Sequence, residues 1–201
     1  MNNLTAESMR PMRTFPLAQQ YESDSRGDGT IAELVQYVLD RHHAYLKAEL
    51  PRLENLLVKL AAIPCNRDGA MLHRLRRVFE EFKVGVELHM HKEETILFPA
   101  ILQMERAVQT GATEDGGSVG SFLNVIRMMS REHETAEAEM DHIREITDDY
   151  RYPEDAGEKL RALFDGLSAL DADLRFHVHL EDDVLFERAM RLAARGAPPC
   201  L

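Results

Sequence analysis

Two short stretches of the sequence place a histidine and a glutamate four residues apart beside apolar residues. LHMHKEETILFP (88–99) contains His89 and Glu93, and FHVHLEDDVLFE (176–187) contains His177 and Glu181. Residues four apart lie about 40° from each other around an α-helix, so both members of each pair project from one face. Imidazole and carboxylate groups that share a face are typical metal ligands. The repeated phrase therefore predicts a metal site built in two similar halves.

Two further histidines extend the repeat. His43 lies in RHHA (41–44) and His133 lies in the similar REHE (131–134), and each precedes one H-x-x-x-E pair by about 45 residues. The chain therefore reads as two helical hairpins, each with a lone histidine on its first helix and a His/Glu pair on its second. Buried glutamates are costly unless they are paired or bound to metal, and no Lys or Arg occupies a matching inward position.

The six residues of the repeat predict a dinuclear site at the middle of the molecule. We expect the ligands to be His43, His89, Glu93, His133, His177 and Glu181. Two bridging glutamates and two histidines on each metal supply four protein donors per metal. An oxo or hydroxo bridge adds a fifth and leaves one position open. Mixed imidazole and carboxylate donors favour two non-haem iron ions, with manganese or zinc as substitutes.

Other polar residues near the repeat have simpler interpretations. His91 and His179 lie two positions from the predicted ligands, hence off the shared face, and are expected to be solvated. The remaining histidines are expected at the surface: His42, His73 and His142. Two acids stay open as alternatives, since Glu137 follows His133 by one turn and Asp182 is a shifted version of Glu181.

A few uncharged residues near the predicted site are interpreted as packing residues. Tyr45 lies close to the centre and is expected to pack in the core rather than to gate the metals. Three methionines are expected to fill the core: Met128, Met129 and Met140.

The apolar pattern predicts the helices that must position these residues. Thr30-Ile-Ala-Glu33 is a capping box that starts the first helix, and Pro51 is expected to kink that helix without ending it. Apolar residues three and four apart then predict helices over about 70–109, 120–149 and from near Pro153 to Gly196. The predicted fold is all-α, an antiparallel up-down four-helix bundle over 30–196, with 1–29 as a tail or short lead-in segment.

The composition excludes several functional classes. The 201 residues carry 35 acids and 24 bases, a net charge of -11, which disfavours binding to nucleic acid. No apolar run approaches the roughly 20 residues of a membrane span. Only Cys65 and Cys200 are present, which favours a reducing cytoplasm over a disulfide framework. Neither a phosphate loop nor a nucleophile elbow is present. A classical enzyme is not expected, but di-iron chemistry on nitric oxide or peroxide stays open, as does a homodimer.

Four segments together resemble the hemerythrin-like HHE cation-binding family, and within it the di-iron repair-of-iron-centres (iron–sulfur cluster repair) proteins. They are His43 ahead of AELPRLENL, HMHKEETILFPAI, MSREHETAE and HVHLEDDVLFERA, and the resemblance covers about 30–195. It implies iron ligation by the same four histidines, with Glu93 and Glu181 as the bridging carboxylates. This set agrees with the one reached from spacing.

The resemblance has two departures. Oxygen-carrying hemerythrins have H-x-x-x-H on the third helix and a fifth histidine ligand, whereas Glu137 stands at that second position here. This indicates a more open and labile iron pair rather than stable oxygen carriage. Many repair proteins also carry an N-terminal domain with a Cys-Cys pair, and residues 1–29 contain no Cys. If such thiols transfer iron or nitric oxide, this chain acts without them or with a partner.

The functional hypothesis that follows is a cytoplasmic di-iron protein of the nitrosative and oxidative stress response. It would bind nitric oxide or a peroxide-derived species, or supply iron to damaged iron–sulfur clusters, so that iron–sulfur proteins are expected partners. The alternatives are a hemerythrin-like oxygen-binding or redox-sensing module and a structural bundle with an incidental metal.

Overall fold

The protein is a four-helix bundle in which three of the four helices contain a π-helical segment. The computed structural model describes residues 29–63, 68–111 and 119–196, and these contain no β-strand. The first bundle helix consists of α1 (Ile31–Tyr37), π1 (Val38–His43) and α2 (Ala44–Ala61). The second consists of α3 (Gly69–Lys92), π2 (Glu93–Leu97) and α4 (Phe98–Thr110). The third is α5 (Val119–Ile146), and the fourth consists of α6 (Glu158–Leu180), π3 (Glu181–Phe186) and α7 (Glu187–Gly196). The predicted all-α bundle is confirmed.

The four helices form a ring around two apolar clusters. The first and third helices each pack against both the second and the fourth. One cluster, here the α2-side cluster, includes the fully buried Leu50, Leu57 and Phe82; the other, the α1-side cluster, includes Leu34 and Phe98. Complete burial of each such side chain is worth about 1.5–3 kcal/mol, so the two clusters account for much of the driving force for folding.

The polar repeat lies at the boundary between the two clusters in chain order on every helix, and on the second and fourth helices the His/Glu pair spans that boundary. On the first helix, for example, Val38 belongs to the α1-side cluster, Leu46 to the α2-side cluster, and His43 stands between them. The third helix shows the same order, with Met129, His133 and Met140. The bundle therefore contains a buried polar layer that divides its core in two.

The start of the first helix is fixed by two carboxylates. Thr30 is the N-cap, and its hydroxyl accepts from the Glu33 backbone N–H while the Glu33 carboxylate accepts from the Thr30 N–H, which confirms the predicted capping box. Glu105 on the second helix also accepts from the N–H groups of Ile31 (2.8 Å) and Ala32 (3.0 Å). Its charge stabilises the positive end of the helix dipole and attaches the first helix to the second.

The connection between the third and fourth helices differs from the prediction. The fourth helix begins at Glu158 rather than near Pro153, and the third ends at Ile146 rather than near residue 149. Asp148, Asp149 and Tyr150 adopt left-handed φ values of 49°, 58° and 58°, which end the third helix early. Pro153 instead accepts from the Ala156 N–H in a turn.

The same connection accounts for the unequal spacing of His133 and His177 from their helix ends. It runs along the fourth helix, where the Tyr150 hydroxyl donates to Asp171 (3.1 Å) and the Tyr152 hydroxyl donates to Asp165 (3.3 Å). The third helix thus ends part of the way along the fourth, and the connection covers the remaining length before α6 starts.

The other predictions about the helices have mixed outcomes. The first helix continues through Pro51, as expected, and the fourth ends at Gly196. Met128 is 43% exposed, so its prediction as a core residue was wrong, whereas Met129 and Met140 are buried. Parts of the predicted tail and turns lie outside the described residues: 1–28, 64–67, 112–118 and 197–201. The boundary between tail and bundle stays a prediction.

The structure also bears on membrane insertion. Within the described ranges, no helix combines the length and apolar character that spanning a membrane requires.

Replacing Gly166 with alanine is expected to destabilise the bundle by about 1 kcal/mol, because an added Cβ overpacks the contact between the first and fourth helices. That Cβ would lie 2.6 Å from Leu53 Cδ2, and Leu53 is fully buried and cannot move aside. Gly85→Ala is the matched control, since a Cβ there meets nothing closer than 4.0 Å and alanine favours a helix interior. Urea unfolding measures both, and a Gly166→Ala variant as stable as Gly85→Ala would contradict the close packing.

Candidate metal centre

The structure brings all six residues of the predicted ligand set together in the buried polar layer. They form two groups that could each hold a metal ion, and the donor atoms within each group lie within 4.8 Å of one another. The first group is His43, Glu93, His177 and Glu181; the second is His89, Glu93, His133 and Glu181. All six side chains are buried, and Glu93 and Glu181 are completely inaccessible to solvent. Their role as ligands stays a prediction.

Each glutamate presents one oxygen to each group. Glu93 Oε2 lies 3.3 Å from His43 Nε2, and its Oε1 lies 3.3 Å from His89 Nε2. Glu181 Oε1 lies 3.0 Å from His177 Nε2, and its Oε2 lies 3.1 Å from His133 Nε2. Two ligands about 2.1 Å from one metal and at right angles to each other are separated by about 3 Å. The arrangement therefore fits a pair of metal ions, and both glutamates would contribute one oxygen to each metal position.

The π-helical segments coincide with the metal centre. Glu93 is the first residue of π2, Glu181 is the first residue of π3, and His43 is the last residue of π1. π-Helical turns inside α-helices occur frequently at functional sites. The spacing of four residues within each His/Glu pair predicted a shared face, but no feature of the sequence indicated the change of helix type.

The hydrogen bonding of the layer is incomplete without a cation. The Nε2 atoms of all four histidines and both oxygens of both glutamates are buried and have no hydrogen-bond partner. Buried polar atoms without partners are rare in native proteins and cost about 1–3 kcal/mol each. A pair of cations would satisfy these atoms together, so the donor set fits the predicted group.

The histidines and carboxylates of the layer shift one another's pKa values. Burial lowers the pKa of His133, but the Asp182 and Glu181 carboxylates outweigh burial and raise this pKa to about 10. The pKa values of His43 and His89 are also raised. Burial lowers them, but the neighbouring carboxylates, Glu93 above all, raise them by more. Burial alone would raise the pKa of Glu181, yet His177 and His133 hold it well below its usual value. Metal binding to these histidines must therefore displace protons.

Three of the four histidines have a carboxylate beside the ring nitrogen that faces away from the centre. Glu94 Oε1 lies 2.8 Å from His43 Nδ1, and Glu132 Oε2 lies 3.0 Å from His89 Nδ1. Asp182 Oδ2 lies 3.1 Å from His133 Nδ1. Such outer carboxylates orient metal-bound histidines and make them stronger metal ligands. The sequence alone could have suggested Glu94 and Glu132 only because each stands next to a predicted ligand, Glu93 and His133 respectively.

Most of the alternative residues lie outside the two groups. Asp182 contacts the outer nitrogen of His133 and is not a member of either group. Glu137 lies 3.9 Å from the Arg175 guanidinium instead. The expected exposure is found for His73, His91 and His179, while His142 is half-buried. Tyr45 packs against the α2-side cluster.

His42 was wrongly predicted to lie at the surface. Only 4% of it is exposed, because its ring stacks on His177 with centroids 5.1 Å apart and an interplanar angle of 4°. Tyr37 and Phe176 enclose the ring further, and Asp173 Oδ1 lies 3.1 Å from its Nδ1. The periodicity of the first helix could not reveal this environment, because His177, Phe176 and Asp173 all belong to the fourth helix.

A cavity of about 210 Å³ lies beside the centre. Its lining includes the exposed Leu88 and extends inward to His89, His133 and His177. The intervening wall is mostly apolar and includes Leu46, Val86, Met90 and Leu174. The cavity can hold a small molecule next to the predicted ligands.

Comparison with known proteins agrees with this fold and this donor set. The family model described as the hemerythrin HHE cation binding domain matches residues 34–189, and the chain therefore belongs to this family. The resemblance inferred from the four segments is confirmed.

Several curated relatives are named for iron–sulfur cluster repair. The chain is 30% identical over 166 residues to the iron–sulfur cluster repair protein YtfE of Dickeya chrysanthemi, covering 81% of this chain and 67% of the relative. It is 29% identical over 174 residues to YtfE of Pectobacterium atrosepticum, covering 84% and 71%. It is 29% identical over 162 residues to a probable iron–sulfur cluster repair protein of Haemophilus influenzae, covering 79% and 65%.

The metal-free protein is expected to lose stability as the pH rises from about 6.5 to about 10. The pKa of His133 is about 10 in the folded protein and near 6.5 when unfolded, so its stabilising charge is fully present below pH 6.5 and is lost through that window. Urea unfolding in excess chelator at pH 6.5–9.5 measures the effect. His133→Gln should flatten the dependence, and a free energy of unfolding that rises with pH in the unsubstituted protein would contradict it.

Proposed function

We propose that this chain is a non-haem di-iron protein of the nitrosative and oxidative stress response, which binds nitric oxide or reactive oxygen species or supplies iron for iron–sulfur cluster repair. The observation that carries the proposal is the pair of buried four-residue groups that share Glu93 and Glu181. Iron–sulfur proteins are the partners that the relatives' names suggest. The cytoplasmic location expected from the cysteine content is part of the same proposal.

The donor types favour iron as the metal. Each group offers two imidazole nitrogens and two carboxylate oxygens, a mixed set that suits non-haem iron better than the thiolate-rich sets of structural zinc. When bound, iron would supply open coordination positions and redox chemistry. Glu93 and Glu181 provide two negative charges in a layer without solvent, and these would offset part of the charge of two cations.

The cavity supports a small uncharged ligand. A charged molecule would lose strong hydration on entering this apolar cavity, which costs free energy. A diatomic gas or a neutral peroxide has little hydration to lose. His89, His133 and His177 lie at its inner end, and the Lys92 and Glu132 side chains also contribute to the lining. A small ligand in the cavity would lie beside these histidines, whose Nε2 atoms are shielded from bulk water.

The first test is the iron content of the protein and of a Glu93→Gln variant. The unsubstituted chain, purified after expression with iron, is expected to contain two irons, and Glu93→Gln is expected to lose about half of them or more, because one bridge to both positions is weakened. Metal analysis and an absorption spectrum measure the result. Glu87→Gln, at an exposed position of the same helix, is the matched control and should retain two irons.

Two results would contradict the proposal. One is an unchanged iron stoichiometry in the Glu93→Gln variant, and the other is an unsubstituted protein that binds no iron. Anaerobic titration with nitric oxide, compared with oxygen, then separates the leading functions. A stable and reversible oxygen adduct would favour the oxygen-binding or sensing module instead.

Filling the cavity is expected to slow ligand binding without removing metal. Ala136 lines the cavity on the third helix, and Ala136→Phe should reduce the nitric oxide association rate about tenfold or more at unchanged iron content, because the bulky ring obstructs the space beside the histidines. Ala138→Phe, at an exposed position of the same helix, is the control. Stopped-flow absorption measures the rates, and equal rates in both variants would exclude the cavity as the route.

A further inference from the structure

The two halves of the metal centre differ in how their histidines are supported from outside. In the group of His89 and His133, both outer ring nitrogens have a carboxylate within 3.1 Å. In the group of His43 and His177, only His43 has one, and among the described residues no carboxylate forms an ion pair with the buried His177 Nδ1. The four bridging and imidazole donors are alike in type, so the difference lies in this outer layer.

The supporting carboxylates are themselves held in place. Glu94 accepts from Lys47 Nζ at 2.6 and 2.8 Å, and Glu132 accepts from Lys92 Nζ. Asp182 accepts from the Ser130 hydroxyl at 2.7 Å, although its contact with His133 Nδ1 has the distance of an ion pair without hydrogen-bond alignment. Each of the three histidines therefore has a fixed negative charge beside its outer nitrogen.

The internal repeat explains why His177 lacks this support. The residue before His133 is Glu132, which reaches from the third helix to His89 on the second. The residue before His43 is His42, which reaches from the first helix to His177 on the fourth and stacks on its ring. A histidine therefore occupies the repeat position at which the other half has a carboxylate. The stacked ring provides contact area but no acceptor for the His177 N–H.

The missing acceptor has an energetic consequence for metal binding. A neutral imidazole that binds metal through Nε2 carries its proton on Nδ1, where it acts as a donor. For His177 this donor would be buried with no carboxylate beside it, whereas the equivalent nitrogens of His43, His89 and His133 have carboxylate oxygens at 2.8, 3.0 and 3.1 Å. Removing an outer-layer partner of a metal ligand typically lowers metal affinity about 10–100-fold.

We infer that the two metal positions bind with unequal strength, and that the position between His43 and His177 releases its ion more readily than the position between His89 and His133. The inference rests on the proposed function, because it requires that both positions hold iron. It divides the centre into a firmly held metal, whose two histidines both line the cavity, and a more labile metal available for transfer to an acceptor.

The test is the rate of iron release from the full-length, fully loaded protein to an excess of a ferrous chelator under anaerobic conditions. The expected result is two phases of equal amplitude with rate constants at least about tenfold apart. Loss of iron binding altogether would instead refute the proposed function. Release of both irons in a single phase would overturn the inference while leaving the proposed function intact.

Two matched substitutions assign the phases. Glu132→Ala removes the support of His89 and should accelerate only the slow phase, so that the two phases approach each other. Glu94→Ala removes the support of His43 and should accelerate only the fast phase. Both carboxylates are partly exposed, with 30% and 26% of the side chain accessible, so both variants are expected to fold. Glu134→Ala, exposed on the third helix, is the control and should change neither phase.

The reverse assignment would overturn the inference. If Glu132→Ala accelerated the fast phase and Glu94→Ala the slow phase, the labile metal would belong to His89 and His133. Circular dichroism and the stoichiometry of two irons before release confirm that each variant is folded and loaded.

Discussion

The complete burial of two glutamate carboxylates among four histidines is the constraint on which the rest of the structure depends. Glu93 and Glu181 are inaccessible to solvent, and none of their oxygens has a hydrogen-bond partner among the described residues. An isolated carboxylate in this environment would be strongly destabilising, so the layer is stable only with protons or cations between its donors. The surrounding helices must therefore hold these groups at one level of the bundle. The irregular features of the chain are those that bring the groups to this level.

Those irregular features are the π-helical segments and the connection before α6. Three of the four helices change to π geometry within the polar layer, at His43, Glu93 and Glu181. The third helix is continuous there but ends early, and the connection from Thr147 to Gly157 runs along the fourth helix. The two hairpins are therefore similar in their predicted ligands but different in the length of chain between their helices, from Ala61 to Gly69 and from Ile146 to Glu158. This difference agrees with an internal repeat whose halves have diverged outside the centre.

The sequence predicted the centre better than its surroundings, for a physical reason. His89 with Glu93 and His177 with Glu181 are local pairs, and helical periodicity alone places each pair on one face. The environment of His42 depends on Asp173 and Phe176 of another helix, so its burial could not be read from its own segment. Glu105 is a similar case, because it caps a helix that begins 74 residues earlier in the chain. The end of the third helix was misplaced because three successive left-handed residues have no strong composition pattern without glycine.

The division of the core into two clusters has a consequence for the dynamics of the protein. The α1-side and α2-side clusters are separate packing units, and between them lies a layer whose cohesion is electrostatic rather than hydrophobic. If the layer holds cations as proposed, donors from all four helices would join the two ends of the bundle through the metals. Without the cations, each end would keep its own packing, and local opening of one end would no longer require opening of the other. Metal occupancy would then decide whether the bundle opens as one unit or as two.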